Sequence, residues 1–277
     1  MDIAIIGGDL RNAFLAQLLG AQGLDARTLG MERIDLPGIR HIGTEDLHEA
    51  KYLLLNAPLR ATAGGKPLDL ATVLERASKK AKLIFAGPRP APDLAGYRLW
   101  DLTRDEVFLR KNAELTAEGA IRAAMDSLPD SISDASCLVI GWGRIGRPLA
   151  EKLAALGAEV TVASRSATHR HQALARGLRA VAPEAMGEAL GRANLVFSTP
   201  PALVLDEARL RFARENARVI DLAGAPYGVD LGAAEKLGLR AWREPGLPGR
   251  YCPRSAARVL ADAVVGILKA EGVDHHA

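Results

Sequence analysis

Short apolar runs alternate with segments of helical period along almost the whole chain. IAIIG (3–7) predicts a strand, and residues 10–19 predict a helix with Leu10, Phe14, Leu15, Leu18 and Leu19 on one face. KYLLLN (51–56) and KLIFAG (82–87) repeat the strand signal on either side of a helix around 68–80. GPRPAPDLAG (87–96), with three prolines and two glycines, must be a loop. TAEGAIRAAMDSL (116–128) predicts a helix with Thr116 as its cap. A second series follows: strand CLVIGW (137–142), a helix over 145–156, strands EVTVAS (159–164), NLVFST (194–199) and RVIDLA (218–223), and a closing helix SAARVLADAVVGILKA (255–270). Apolar strands that alternate with helices are buried on both faces, which is the pattern of a parallel sheet with covering helices.

Composition narrows the picture. At about 150 residues per domain, 277 residues suggest two domains. The 36 basic and 33 acidic residues are spread without a basic block, and few residues are aromatic, so no nucleic acid is expected as a partner. Two cysteines, Cys137 and Cys252, are too few for a disulfide framework or a zinc site; no metal is expected, and the compartment reads as reducing cytoplasm. The start MDIAIIGGD has no basic segment followed by a long apolar one, and no run approaches the roughly 18 apolar residues of a membrane span.

The chemistry concentrates in IGWGRIGR (140–147). Gly141, Gly143 and Gly146, with Arg144 and Ile145 between them, form GxGxxG after a strand and before a helix. The first glycine permits the tight turn, the second lets backbone approach a pyrophosphate, and the third lets helix pack on strand. The end of the next strand, where an NAD site places Asp or Glu, reads Ser164, Arg165, Ser166. A guanidinium flanked by hydroxyls suits a 2′-phosphate, so the expected cofactor is NADP. In STPPALVL (198–205), Thr199 and Pro200 fall where the nicotinamide ribose runs; a plain strand-ending turn is the alternative. The expected fold is therefore α/β with two domains, each a parallel sheet with covering helices: residues 1–113 for substrate, 114–252 a Rossmann NADP-binding domain, and 253–277 a helix crossing back to the first. The active site is expected in the cleft between the two.

In the first domain, Arg11 at a helix start, and Asn56, Pro58, Arg60 and Thr62 after an apolar run, line up at the carboxyl edge of the sheet, where open α/β sheets bind ligands. GLPG (246–249) followed by Pro253 and a helix gives a glycine-permissive loop ending at a helix amino terminus, whose free amides favour an anion; Arg254 and Ser255 would complete a carboxylate site. None of the six histidines is expected to act as a base.

IGGDLRN, RDEVFLRKNAELTAEGAI, IGWGRIGR, ASRSATH, STPPALVL, DLAGAPYGVD and GLPGRYCPRSAARVLA, in this order and spacing, resemble the dipicolinate synthase A-subunit family. The resemblance covers most of the chain. It implies an NADP-dependent oxidoreductase component that converts a dihydrodipicolinate-type precursor to pyridine-2,6-dicarboxylate in sporulation. It also implies a small dicarboxylate substrate, a partner in the form of a flavoprotein-like B subunit, and a homo-oligomer. Within the shared motifs, Asp9 and Glu118 are the candidate proton acceptors and Asn112 a candidate substrate contact. Two departures alter shape: Tyr227-Gly228 where the family pattern has Gly-Gly, and Pro253 to Ala257 where it has Pro-Lys-Thr-Ala-Gly. Rival readings are a shikimate-dehydrogenase-like NADP enzyme on another small carboxylate, and a non-catalytic nucleotide-binding scaffold subunit.

Overall fold

Ile3–Ile6 forms β1, and all four of its side chains are buried, as a central parallel strand requires. The computed structural model describes residues 1–56, 59, 61–63, 66–87, 94 and 96–272. After β1 come α1 (Leu10–Ala21), β2 (Ala26–Leu29), β3 (Tyr52–Leu55), the short pair β4 (Thr62–Ala63) and β5 (Lys66–Pro67), α2 (Leu70–Arg76), β6 (Lys82–Phe85) and β7 (Leu99–Asp101). The first sheet is wholly parallel in the order β2-β1-β3-β6-β7. Successive strands are added outward in opposite directions from β1 and β3, so the switch point lies between them.

The second series is α3 (Glu106–Ser127), β8 (Ser136–Ile140), α4 (Gly146–Ala155), β9 (Glu159–Ala163), α5 (Ala167–Leu174), β10 (Arg179–Val181), α6 (Met186–Arg192), β11 (Leu195–Ser198), α7 (Glu207–Leu210), β12 (Arg218–Asp221), α8 (Leu231–Lys236) and β13 (Arg240–Arg243). Its sheet is also parallel, in the order β10-β9-β8-β11-β12-β13, with the switch point between β8 and β11. The chain closes with α9 (Leu247–Tyr251) and α10 (Pro253–Ala270). Two compact units result: Met1–Asn112 with Pro248–Ala277, and Ala113–Leu247.

In the first unit, α10 turns Ala257, Leu260, Ala261, Val264 and Leu268 toward Leu15, Ala16 and Leu19 of α1 and the β1–β3 face, in one buried cluster. Their helical spacing makes a single apolar stripe, and each larger side chain buried there contributes roughly 1.5–3 kcal/mol. The opposite face of the sheet packs Ala4, Ile6, Leu53 and Leu55 under Val73 of α2. No helix among the described residues is long and apolar enough to cross a membrane.

Two expected elements differ. The helix placed at 116–128 begins ten residues earlier, at Glu106, so Thr116 is interior and is not its amino-terminal cap. Asp105 does the capping, accepting hydrogen bonds from the amides of Val107 and Phe108. The helix around 68–80 is shorter, capped by Asp69 through the Thr72 amide and ending at Arg76.

Candidate functional site

The glycines after β8 have separate steric jobs. A Cβ on Gly141, whose φ is +98°, would overlap the Thr199 hydroxyl, and a Cβ on Gly146 would overlap the Gly141 carbonyl oxygen. A Cβ on Gly143 would meet nothing within 4 Å, so its backbone borders open space. That space is a cavity of about 940 Å³ at the β8/β11 switch point, lined by Gly141, Gly143, Arg144, Ile145, Ser164, Arg165, Ser166, Thr199 and Pro200. Nine of the ten residues expected to bind cofactor thus line one cavity, and Gly146 starts the helix beside it. The turn fits a dinucleotide: backbone is bare at Gly143, where the pyrophosphate must come close, and tightly packed at Gly141 and Gly146.

At the far end, Ser166 caps α5, its hydroxyl accepting from the His169 amide, while Ser164 accepts from the Ser166 amide. Arg170 donates to the carbonyls of Ser164 and Arg165 at 2.8 and 2.9 Å, which spends its guanidinium on fixing this turn. The Arg165 side chain is exposed and makes no hydrogen bond or ion pair among the described residues. Among the described residues, no carboxylate lines the cavity. The sequence reading missed His169 and Arg209, which also line it; the signal available was the place of His169 at the end of ASRSATH, one turn into α5.

Beside the cavity, the loop after β12 is braced from within. Asp221, 1% exposed, accepts from the amides of Ala223, Gly228 and Val229 at 3.1, 3.0 and 3.2 Å. Gly228 covers the buried Ser198 hydroxyl, which has no hydrogen-bond partner, and its carbonyl accepts from the amides of Val204 and Leu205. Tyr227 has φ +69°, a conformation that costs a non-glycine residue about 1–2 kcal/mol, and its ring lies 3.9 Å from the Arg243 guanidinium. Cys137 lies inside β8, where burial pushes its thiol up to about 12 and leaves it protonated.

Glu118 is on α3, paired with Lys152 of α4 at 3.2 Å, as is Glu114. Burial opposes the Lys152 charge, but the two carboxylates outweigh it and hold its pKa above the ordinary lysine value. Glu118 does not line the cofactor cavity.

In the first unit, Asp9, Arg11 and Asn56 stand at its own switch point, just after β1 and β3. Asp9 caps α1 through the Arg11 amide and pairs with the Arg11 guanidinium at 3.2 Å. Asn56, at the end of β3, donates to the carbonyls of Ile6 and Gly7. Asn12, fully buried, was missed by the sequence reading; its Nδ2 and the Arg11 Nε are buried with no hydrogen-bond partner among the described residues. Gly249 of α9 packs its bare Cα against the Asp9 carboxylate, which gives the GLPG motif a steric reason. Arg254 lies over the Phe14 ring at 4.9 Å, and α10 has no side-chain cap at Cys252, so its first amides are not capped by a side chain. Arg254 and Ser255 thus belong to the same unit as Arg11 and Asn56. Thr62 is exposed in the β4–β5 pair next to Gly30 and does not join this group; Asn112 is half-buried in α3. Pro58 and Arg60 lie outside the described residues.

Residues 103–225 match the D-isomer specific 2-hydroxyacid dehydrogenase, NAD binding domain. The chain is 27% identical over 285 residues to the A subunit of dipicolinate synthase from Bacillus subtilis (strain 168), covering 97% of this chain and 96% of that protein. Over its whole length, then, the chain resembles the dipicolinate synthase A subunit. The crystal structure of the corresponding A subunit from Bacillus halodurans superimposes with TM-score 0.82 at 26% identity, covering 96% of this chain and 97% of that one. A D-lactate dehydrogenase from Salmonella shares the fold alone, with TM-score 0.64 at 12% identity over 98% and 97% of the two chains. The resemblance carried by the motifs is borne out, and so are the paired α/β architecture, an oxidoreductase role and a nicotinamide dinucleotide as cofactor.

Proposed function

We propose that the chain is the NADP-dependent component of a dipicolinate-forming oxidoreductase, converting a dihydrodipicolinate-type precursor to pyridine-2,6-dicarboxylate during sporulation. The observation that carries NADP over NAD is the far end of the cavity, where Ser164, Arg165 and Ser166 stand and, among the described residues, no carboxylate lines the wall. The whole-length likeness to the dipicolinate synthase A subunit carries the substrate.

Bound, the nicotinamide supplies the hydride acceptor. The chain supplies positioning. Gly141, Gly143 and Gly146 seat the pyrophosphate, and Thr199 and Pro200 fix the wall beside the ribose. Arg11, Arg254 and Ser255 of the first unit offer donors to carboxylates, while Asn56 braces the end of β1 beside Arg11 through the Ile6 and Gly7 carbonyls. Asp9 stands among them and is the proposed acceptor of the one proton that aromatisation releases; Glu118, held by Lys152, is the weaker candidate. By the same likeness, the protein works as an oligomer in the cytoplasm with a flavoprotein-like B subunit.

The test is to supply a dihydrodipicolinate-type precursor with NADP or NAD and follow reduced nicotinamide and dipicolinate together. Both products should form with NADP, weakly from this chain alone and strongly once the B subunit is added. Equal affinity for NADP and NAD would refute the cofactor assignment. Full activity from the chain alone would refute the need for a partner, and cofactor binding without turnover under any condition would refute the enzyme reading.

A further inference from the structure

A dicarboxylate on a flat ring has two charged ends, and one guanidinium cannot reach both. The described cationic candidates for those ends, Arg11 and Arg254, both belong to the first unit. The second unit has its own cation at the carboxyl edge of its sheet. Arg243 ends β13, in register with Asp221 at the end of β12, and Asp221 in turn is in register with Ser198 at the end of β11. It therefore stands on the same sheet edge as the cofactor turn.

Two features of this place are unexplained by folding. The first is Tyr227. Glycine would adopt φ +69° freely, yet a large side chain occupies the position and remains 40% exposed. The second is Arg243. Its one ion pair among the described residues is with Asp221, 3.8 Å from Nε, which already accepts three backbone amides, so the guanidinium keeps donors available. The guanidinium stacks on the Tyr227 ring at 3.9 Å, which orients its fork while leaving its edge open. The strained turn is also rigidly tied to the cofactor wall, since the Gly228 carbonyl takes the amides of Val204 and Leu205, and Val204 lines the cavity.

We propose that Tyr227 and Arg243 form a binding platform for a planar aromatic carboxylate, Arg243 taking the carboxylate in a bidentate pair and Tyr227 holding both the guanidinium and the ring edge in plane. This rests on the reading of the substrate as a pyridine dicarboxylate and names a carboxylate contact built wholly within the second unit. Strain at Tyr227 is then kept for binding, since it works against stability.

The experiment titrates the full chain and the variants Tyr227→Gly, Tyr227→Phe, Arg243→Gln and Arg243→Lys with dipicolinate, isophthalate, non-planar cyclohexane-1,3-dicarboxylate and, separately, NADP, and records Tm for each. Arg243→Gln and Tyr227→Gly should weaken planar dicarboxylate binding about tenfold or more, while NADP affinity stays within about twofold. Tyr227→Gly should hold or raise Tm, because it relieves the backbone. Arg243→Lys should restore little, since an ammonium lacks the fork, and Tyr227→Phe should bind nearly as the parent does. Unchanged planar-dicarboxylate affinity in both Arg243→Gln and Tyr227→Gly overturns the platform. So do an equal loss of NADP binding and a parent chain that binds neither planar dicarboxylate. If the parent binds isophthalate and the variants lose it, but dipicolinate is ignored, the platform stands and the substrate reading falls.

Discussion

The Thr199 hydroxyl donates to the main-chain oxygen of Ile140 at 2.8 Å, joining the two strand ends between which the cofactor turn begins. The same hydroxyl leaves no room for a Cβ on Gly141. Thr199→Val keeps the shape and removes the bond, so it should cost about 0.5–1.5 kcal/mol of stability. Gly146→Ala forces a methyl against the Gly141 carbonyl and should cost more, about 1–3 kcal/mol, with a larger loss of dinucleotide affinity. Thermal melts with and without NADP check both, and a Gly146→Ala protein with parental affinity would contradict the packing argument.

Arg165 is the contact we propose to separate the two nicotinamide cofactors. A charge-assisted hydrogen bond to the 2′-phosphate contributes about 1.5–3 kcal/mol, so Arg165→Asp should lower NADP affinity by about one to two orders of magnitude and leave NAD nearly unchanged. Titration of both cofactors against parent and variant reads the difference directly.

In the proposed reading, Arg11 and Arg254 bear on carboxylates rather than on the dinucleotide. Arg11→Ala and Arg254→Ala should each weaken dipicolinate binding by about 1.5–3 kcal/mol with NADP affinity retained. Arg11→Ala also breaks the Asp9 pair, so its melting temperature must be measured alongside. If neither variant loses dipicolinate, the anion contacts of the first unit lie elsewhere.

Acid should loosen the first unit at Asp25. Hydrogen bonds from Arg27 hold this carboxyl below its ordinary value of 3.8, against burial and with further help from Arg40. A depressed folded pKa means that the stabilisation is complete above the unfolded value and is lost as pH falls through the folded one. The site is open to solvent, so the effect is at most about 1 kcal/mol. Asp25→Asn should flatten the acid limb of a stability profile between neutral pH and pH ~3 and leave cofactor affinity alone.

The strands that were legible in the sequence are the central ones of the two parallel sheets, because burial favours apolar residues there: β1, β3, β6, β8, β9, β11 and β12. The four sheet strands that were not, β2, β7, β10 and β13, are the edge strands, and none offers more than two consecutive apolar residues; the two-residue β4 and β5 are shorter still. The start of α3 was hidden too, since RDEVFLRKN reads as polar connector until Asp105 is seen capping it. The cofactor turn was legible because glycine spacing is local. Arg209 and the Tyr227–Arg243 stack were not, because each is brought to its place by strand order, whereas His169 could have been read from its place at the end of ASRSATH.

The first unit is assembled from two stretches separated by the entire second unit. Residues 257–268 supply one side of the cluster that α1 needs. On a ribosome, Ala113–Leu247 is available to fold as soon as it emerges, while α1 must wait with its apolar face uncovered until α10 has been made. The late-folding portion is therefore the amino-terminal one. A chaperone or a protease acting during synthesis would meet residues 10–21 first and longest, and shortening α10 from its end should expose α1 while the dinucleotide unit survives intact.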